Sequence, residues 1–150
     1  MRLSCQKALV LTTVVIAACQ ESTTTPSPRD LYVLETVNGQ PVPTIINAGG
    51  GDTTTLFSAQ LTLDEAGKAE IRAHTRHVST YAPPREATDI YRYTYRVLGD
   101  SIAFDYSPPC PPNALCPIPP YGRITGTTVD LFIGGSLGAR YLYRLAVEMD

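Results

Sequence analysis

From residue 30 onward, apolar and polar residues alternate with a period of two along most of the chain. The alternating runs cover residues 31–37, 56–64, 69–80, 90–97, 102–106, 123–125, 128–133 and 141–147. Alternate side chains point to opposite faces of a β-strand, whereas a helical face repeats about every 3.6 residues. β-Branched and aromatic residues, which are typical of strands, are frequent in the same runs. The pattern therefore predicts seven or eight strands.

Each run also predicts which side chains share a face. The predicted apolar faces are formed by Leu31, Val33 and Val37, by Phe57, Ala59, Leu61 and Leu63, and by Tyr91, Tyr93, Tyr95 and Val97. Turn segments at 65–68, 98–101 and 126–127 separate neighbouring runs, and the glycine-rich residues 48–52 are expected to form a flexible connection.

Short turns between consecutive strands are typical of an antiparallel meander. A meander of about eight strands leaves exposed edges unless it closes on itself. The sequence therefore predicts an all-β protein, built as an antiparallel up-and-down meander that closes into a barrel.

The N-terminus has the pattern of an export signal. Two basic residues and no acid accompany an uncharged, largely apolar run of 11 residues, 8–18. This run is shorter than the ~20 residues of a membrane-spanning helix and fits the apolar region of a signal peptide. Residues 16–18 (Ile-Ala-Ala) followed by Cys19 resemble the lipobox of bacterial lipoproteins. The resemblance implies cleavage before Cys19, a diacylglyceryl group on its thiol and an acylated new N-terminus; the alternative is an ordinary secreted protein.

Two or three acyl chains attach a protein firmly to a membrane without a spanning helix. Gln20 stands where, by the same resemblance, an aspartate would favour retention at an inner membrane, so we expect the outer membrane in a cell that has two. Residues 20–29 are rich in Ser, Thr and Pro and lack apolar side chains, which is typical of a tether. The predicted organisation is a signal peptide at 1–18, a lipidated cysteine and tether at 19–29, and one barrel domain at 30–150.

The near balance of basic and acidic residues argues against a nucleic-acid partner. The 150 residues include 12 Lys+Arg and 14 Asp+Glu, and removal of residues 1–18 leaves ten basic and fourteen acidic residues. Proteins that bind nucleic acid need a basic surface, so we expect no nucleic-acid partner. Four arginines, Arg72, Arg76, Arg92 and Arg96, are predicted on the outer face, either as a solvated surface or as a stripe that binds an anion.

Several segments resemble small bacterial lipocalin-like domains over roughly residues 30–148. The segments are residues 32–34 and 37–41, the hairpins at 61–67, 99–101 and 126–128, and the closing residues 141–144. The resemblance implies a lipocalin-like barrel, and the interior of such a barrel is where we expect a small apolar ligand.

Tyr91, Tyr93 and Tyr95 are the candidate ligand-binding residues because they share one face of a predicted strand. A phenol offers an apolar ring and one polar atom. The alternative is that these tyrosines only form a packed wall. An eight-stranded barrel either fills itself with side chains or holds one small ligand, so the sequence leaves both alternatives open.

The motifs of the chain do not predict catalysis, a metal site or a cofactor. Residues 134–138 (Gly-Gly-Ser-Leu-Gly) match the spacing of a hydrolase nucleophile turn, which needs a following helix and a downstream histidine. The last histidine of the chain is His77. His74 and His77 stand three residues apart on a predicted strand and therefore point to opposite faces, which argues against a shared metal ion. We expect a non-enzymatic protein.

Residues 107–120 contain seven prolines and two cysteines, Cys110 and Cys116. Two cysteines in an oxidising compartment predict a disulfide. Proline cannot donate to a strand ladder, so the segment is expected to lie outside the barrel wall. It is either a braced connection or a rigid loop that contacts a protein partner, with the barrel as a packed scaffold.

Overall fold

The computed structural model describes residues 30–134 and 138–146. Within these residues the regular secondary structure is entirely β, as the sequence predicts. The strands are β1 (Asp30–Val37), β2 (Gln40–Pro41), β3 (Thr44–Gly49), β4 (Asp52–Leu63), β5 (Lys68–Ser79), β6 (Ala82–Leu98), β7 (Ser101–Tyr106), β8 (Tyr121–Thr125), β9 (Thr128–Ile133) and β10 (Ala139–Leu145). The predicted signal peptide and tether, residues 1–29, lie outside the described residues. No helix in the described chain is long and apolar enough to span a membrane.

Eight of these strands form a closed, antiparallel up-and-down barrel. Strands β4 to β10 each pair with the next strand in the chain, and β10 pairs with β1. The ring closes between β1 and β4, where Asp30 pairs with Leu63 and Tyr32 pairs with Leu61. Closure pairs the backbone groups that an open sheet would leave at its edges. The prediction of a closed, lipocalin-like meander is confirmed, and the short strands β2 and β3 are additions that pair with β1 and β4.

The connections alternate between the two ends of the barrel. The β4–β5, β6–β7 and β8–β9 turns lie at one end together with the start of β1, and we call this the closed end. The β3–β4 and β5–β6 turns, the β7–β8 loop and the β9–β10 connection lie at the other end, which we call the open end. Asp30, the first described residue, therefore lies at the closed end.

Side chains fill the interior towards the closed end. Aliphatic residues of three strands are at most 1% exposed there: Leu61, Leu63, Ile102, Val129 and Leu131. The Tyr93 ring packs edge-on against the Phe104 ring, with 5.7 Å between the ring centres. Interiors packed in this way have few voids as large as a water molecule. This half of the barrel is a packed core.

A β-bulge in β1 changes the predicted inward face of that strand. The register with β10 shifts between Leu34 and Thr36, so the buried positions are Tyr32, Leu34 and Val37. Val33 is 39% exposed, and its predicted place on the same face as Val37 is wrong. A bulge inserts one residue and reverses the alternation, which places residues of odd and even number on the same face.

A second bulge in β4 has the same effect. The register with β5 shifts between Leu56 and Ser58, so Leu56 and Ala59 are both buried. Phe57 lies on the outer face, where its ring centre is 5.4 Å from that of His74. The predicted inward position of Phe57 is therefore wrong, because strict alternation does not allow for the extra residue.

The glycine-rich residues 48–52 form a tight hairpin and are not the flexible connection that was predicted. Gly49 pairs with Asp52 across the turn. Gly50 and Gly51 have φ angles of 60° and 89°. Positive φ at both central positions is typical of the type I′ turn, which matches the twist of paired strands and which glycine adopts without a steric penalty.

Acidic residues accompany three of the four predicted outer arginines. Arg72 Nε and Arg92 Nε lie 2.6 Å and 3.2 Å from the carboxylate oxygens of Glu70. Arg96 lies 3.8 Å from Asp105 on the neighbouring strand. Because these arginines face carboxylates, this surface is a solvated outer face of mixed charge and not a basic stripe.

Candidate functional site

A cavity of about 320 Å³ lies in the barrel at its open end and is partly open to solvent. Its lining combines apolar side chains of the barrel wall with residues of the β7–β8 loop and the β9–β10 connection. The lining residues of the described chain are Ile46, Thr54, Leu56, Ala59, Ile71, Ala73, Thr75, Asp89, Tyr91, Tyr93, Tyr106, Pro117, Ile118, Pro120, Ile133, Gly134, Tyr141 and Tyr143. The volume falls at the lower end of the ~300–1,000 Å³ that is typical of small-molecule sites.

Small side chains on two neighbouring strands make the space. Ala59 of β4 pairs with Ala73 of β5, and both line the cavity. One inward position closer to the closed end, the same strands carry Leu61 and Ile71, which pair with each other and are buried. Replacement of leucine by alanine in a core leaves unfilled volume. The two small residues Ala59 and Ala73 therefore leave space next to the packed half of the interior.

Tyrosines of three strands line the cavity: Tyr91 and Tyr93 of β6, Tyr106 of β7, and Tyr141 and Tyr143 of β10. Burial, and secondarily the neighbouring Tyr106 and Tyr91, raise the pKa of Tyr93 to about 12. Burial also raises the pKa of Tyr91, Tyr141 and Tyr143. These four phenols therefore stay neutral at physiological pH and act as hydrogen-bonding groups in an otherwise apolar space.

The hydroxyl of Tyr143 has no hydrogen-bond partner among the described residues. Tyr143 is 0% exposed and lies at the floor of the cavity, two residues further from the open end than Tyr141. A buried polar group without a partner destabilises a structure by about 1–3 kcal/mol. A polar atom of a bound molecule that reaches this hydroxyl would remove that penalty.

Two of the three predicted ligand-binding residues line the cavity, and the third does not. Tyr91 and Tyr93 lie in its wall, whereas Tyr95 lies at the closed end, where its hydroxyl donates to the backbone oxygen of Asp64 at 2.8 Å. The Tyr95 ring also packs against Phe104, with 6.3 Å between the ring centres. From Tyr91 to Tyr95 the strand advances by about 13 Å, so one face of β6 reaches from the cavity into the packed half.

The β7–β8 loop, residues 107–120, covers one side of the cavity. Cys110 and Cys116 form a disulfide with 6.3 Å between their Cα atoms, which confirms the predicted bond. Pro117, Ile118 and Pro120 line the cavity, and the backbone oxygen of Pro120 accepts a hydrogen bond from the Phe104 N–H at 3.1 Å. The loop is therefore both a braced connection and part of the cavity wall.

Asp89, Ala59, Ala73 and the loop residues are parts of the site that the sequence analysis did not identify. Tyr141 and Tyr143 alternate in the last predicted strand, so their inward position is visible in the sequence. The contribution of the loop depends on how it folds back over the barrel, for which the sequence has no local signal.

The two histidines contact separate partners. His74 Nε2 lies 3.6 Å from a carboxylate oxygen of Glu86, and His77 Nε2 lies 4.0 Å from one of Asp52. In residues 30–134 and 138–146, no three His, Cys, Asp or Glu side chains are grouped so that they could hold a metal ion.

The candidate nucleophile turn at 134–138 lies between two antiparallel strands. Residues 135–137, including its serine, are outside the described residues. Strand β10 begins at Ala139, where a hydrolase turn of this type continues into a helix. The surrounding structure therefore does not match that motif.

No protein-family model, no curated protein and no solved structure matches this chain. Because one fold supports many functions, the residues of the cavity are what indicate a function here.

Proposed function

We propose that this protein is an exported lipoprotein whose barrel binds one small, largely apolar molecule in the cavity at its open end. The cavity itself is the observation that supports binding. It combines apolar and aromatic walls with a few polar groups, as small-molecule sites do. The buried Tyr143 hydroxyl, which has no partner among the described residues, supports a bound molecule that carries a polar atom.

The lipobox-like residues 16–19 support attachment to a membrane of the cell envelope, the outer membrane in a cell with two, through a lipid on Cys19. The barrel domain begins at Asp30, at its closed end. The tether and the cavity mouth are thus at opposite ends of the barrel. Attachment at the closed end leaves the mouth free, so that a molecule can enter from solution.

We assign the protein no catalytic role. The cavity lining within the described residues includes one carboxylate, Asp89, and no histidine, cysteine or lysine. General acid–base chemistry needs titratable groups with different protonation states placed within reach of one substrate. A lone carboxylate among neutral phenols suits binding better than turnover.

A calorimetric titration tests ligand binding. Phenylbutanol is a suitable probe because it joins an aromatic ring and an alkyl chain to one hydroxyl. With about 11 non-hydrogen atoms at about 0.5 kcal/mol each, we expect a Kd on the order of 0.1 mM. Titration of the mature chain should show one site per molecule.

Ala73→Leu provides the decisive variant. The added side chain enters existing space, so the barrel should fold normally while phenylbutanol binding is lost. Ala103→Leu is the matched control, because Ala103 lies on β7 between the buried Ile102 and Phe104 and so on the outer face. Absence of binding by the unmodified protein, or undiminished binding by the folded Ala73→Leu variant, would disprove the proposal.

A second candidate function is a contact with another protein through the β7–β8 loop. Leu115 is fully exposed on this disulfide-braced loop, and Ile118 is 57% exposed. Exposed apolar side chains on a preorganised loop favour protein contacts. A photoreactive amino acid at position 115 should cross-link to a partner in intact cells if this candidate is correct, and should give no protein adduct otherwise.

A further inference from the structure

We infer that the cavity takes a compact amine, whose positively charged nitrogen lies beside Asp89 at the mouth and whose apolar part fills the space below. This inference depends on the proposed ligand binding and adds the charge of the ligand. Two observations support it: Asp89 lies in the cavity wall, and aromatic rings line the cavity further from the mouth.

Asp89 stands on the inward face of β6. It pairs with Ala73, and it lies two residues nearer to the open end than Tyr91. Among the lining residues of the described chain, Asp89 alone is charged. The cavity therefore combines one negative charge at its mouth with neutral walls.

Asp89 also differs from the acids of the outer surface. Five of those acids lie opposite arginines within 4.0 Å: Glu35, Glu70, Asp100, Asp105 and Asp130. Asp89 makes no such ion pair with a basic side chain of residues 30–134 or 138–146. A carboxylate held at a cavity mouth without a basic partner attracts a cationic ligand and repels an anionic one.

Aromatic rings further inside the cavity also favour a positively charged ligand. Tyr91 follows Asp89 by two residues on the same face of β6, and the charge of Asp89, after burial, contributes to the raised pKa of Tyr91. Tyr141 lies near Tyr91, since Tyr91 likewise contributes to the raised pKa of Tyr141. The faces of phenol rings attract cations, so an ammonium group beside Asp89 also gains from these rings.

The same features disfavour two other kinds of ligand. A fatty acid would bring a second carboxylate next to Asp89, and the two like charges would repel each other. A pure hydrocarbon would gain neither from the charge of Asp89 nor from the attraction of the phenol faces for a cation. An amine with a compact apolar part avoids the first penalty and gains the attraction of Asp89.

Three probes with the same apolar part test the inference: phenylbutylamine, phenylbutanol and phenylbutyrate. Calorimetric titrations of the mature chain at neutral pH should give an affinity roughly tenfold higher for the amine than for the alcohol, and lower still for the carboxylate. The affinity for the amine should fall as salt is added, while that for the alcohol should not.

Asp89→Asn keeps the shape of the side chain and removes its charge. This variant should lose most of the preference for the amine over the alcohol, with the affinity for the alcohol unchanged. Glu86→Gln is the matched control, because Glu86 lies on the same strand but on the opposite face, 3.6 Å from His74, and its replacement should leave all three affinities unchanged.

The outcomes separate the inference from the proposed function. Equal affinities of the unmodified protein for the amine and the alcohol, or an amine preference that is undiminished in Asp89→Asn, overturn the inferred charge and leave ligand binding intact. Failure of all three probes to bind overturns ligand binding itself. Loss of the amine preference in Glu86→Gln would mean that the outer surface attracts the amine, which also overturns the inference.

Discussion

The Tyr95 hydroxyl donates a hydrogen bond of 2.8 Å to the backbone oxygen of Asp64. This bond joins strand β6 to the β4–β5 turn at the closed end of the barrel, the end opposite to the cavity. Tyr95 shares a strand face with Tyr91 and Tyr93, yet it belongs to the packed half. The same face of β6 therefore contributes both to the cavity wall and to the packed end of the barrel.

Tyr95→Phe should reduce stability without changing binding. Loss of the hydroxyl removes one hydrogen bond, and we expect the free energy of unfolding to fall by about 1 kcal/mol. The Phe ring keeps the contact with Phe104, so the affinity for phenylbutanol should remain that of the unmodified protein. Urea denaturation and calorimetry measure the two quantities. A large loss of affinity with unchanged stability would place Tyr95 in the ligand site instead.

Stability should decline in alkaline solution because of buried phenols. Burial, with smaller contributions from neighbouring groups, raises the pKa of both Tyr32 and Tyr93 from 10.0 to about 12. Above pH 10 the unfolded chain releases these protons while the folded chain retains them, so the free energy of unfolding falls as the pH rises towards about 12. Below pH 10 both states keep the protons, and these two groups should cause no pH dependence.

Tyr32→Phe isolates one of these contributions. The variant should lose stability less steeply than the unmodified protein over the same alkaline range, as followed by urea midpoints at successive pH values. Tyr81→Phe is the control, because Tyr81 is 90% exposed in the β5–β6 turn and should leave the pH profile unchanged. Equal slopes for Tyr32→Phe and the unmodified protein would show that Tyr32 ionises normally in the folded state.

The strands were predictable because a barrel wall has an apolar inner face and a polar outer face. Apolar and polar residues therefore alternate along each strand. The two residues that were predicted on the wrong face, Val33 and Phe57, lie in the strands with bulges at Leu34–Thr36 and Leu56–Ser58. A bulge depends on how two strands pair, and its extra residue has no marker in the sequence of one strand.

The candidate site was partly predictable for a related reason. Tyr91 and Tyr93 were visible as an aromatic face, but the extent of the cavity depends on Ala59 and Ala73, which an alternating pattern cannot distinguish from larger core residues. Asp89 lines the cavity mouth although it is charged and exposed to solvent, so a pattern of buried apolar residues does not identify it as part of the wall. These features follow from tertiary packing, which local sequence patterns do not encode.

Cys19→Ser tests the proposed lipid anchor. If the lipobox-like residues 16–19 direct acylation, the variant should incorporate no labelled palmitate and should move from the membrane fraction to the soluble fraction. Cys5→Ser is the control, because Cys5 precedes the apolar run of the signal, and it should be labelled normally. Labelling that persists in Cys19→Ser would mean that Cys19 is not the acylated residue.

The double variant Cys110→Ser/Cys116→Ser tests the role of the disulfide in the cavity wall. Closure of a loop of this size stabilises by about 2 kcal/mol in the chain-entropy model, so the free energy of unfolding should fall by about that amount. The barrel should still form, because β7 and β8 pair through residues 101–103 and 121–123, outside the disulfide loop. Phenylbutanol should bind more weakly, because Pro117 and Ile118 are then held less firmly against the cavity.

Reduction of the unmodified protein provides an independent control for the two serines. Reduced protein and the double variant should show the same melting temperature and the same weakened affinity, since both remove only the covalent link. Thiol titration before and after reduction should find two additional thiols, from Cys110 and Cys116, only after reduction. Complete unfolding of both forms would show that the loop is required for the barrel. An unchanged affinity in both would show that the loop is held against the cavity by its prolines and by the Phe104–Pro120 hydrogen bond alone.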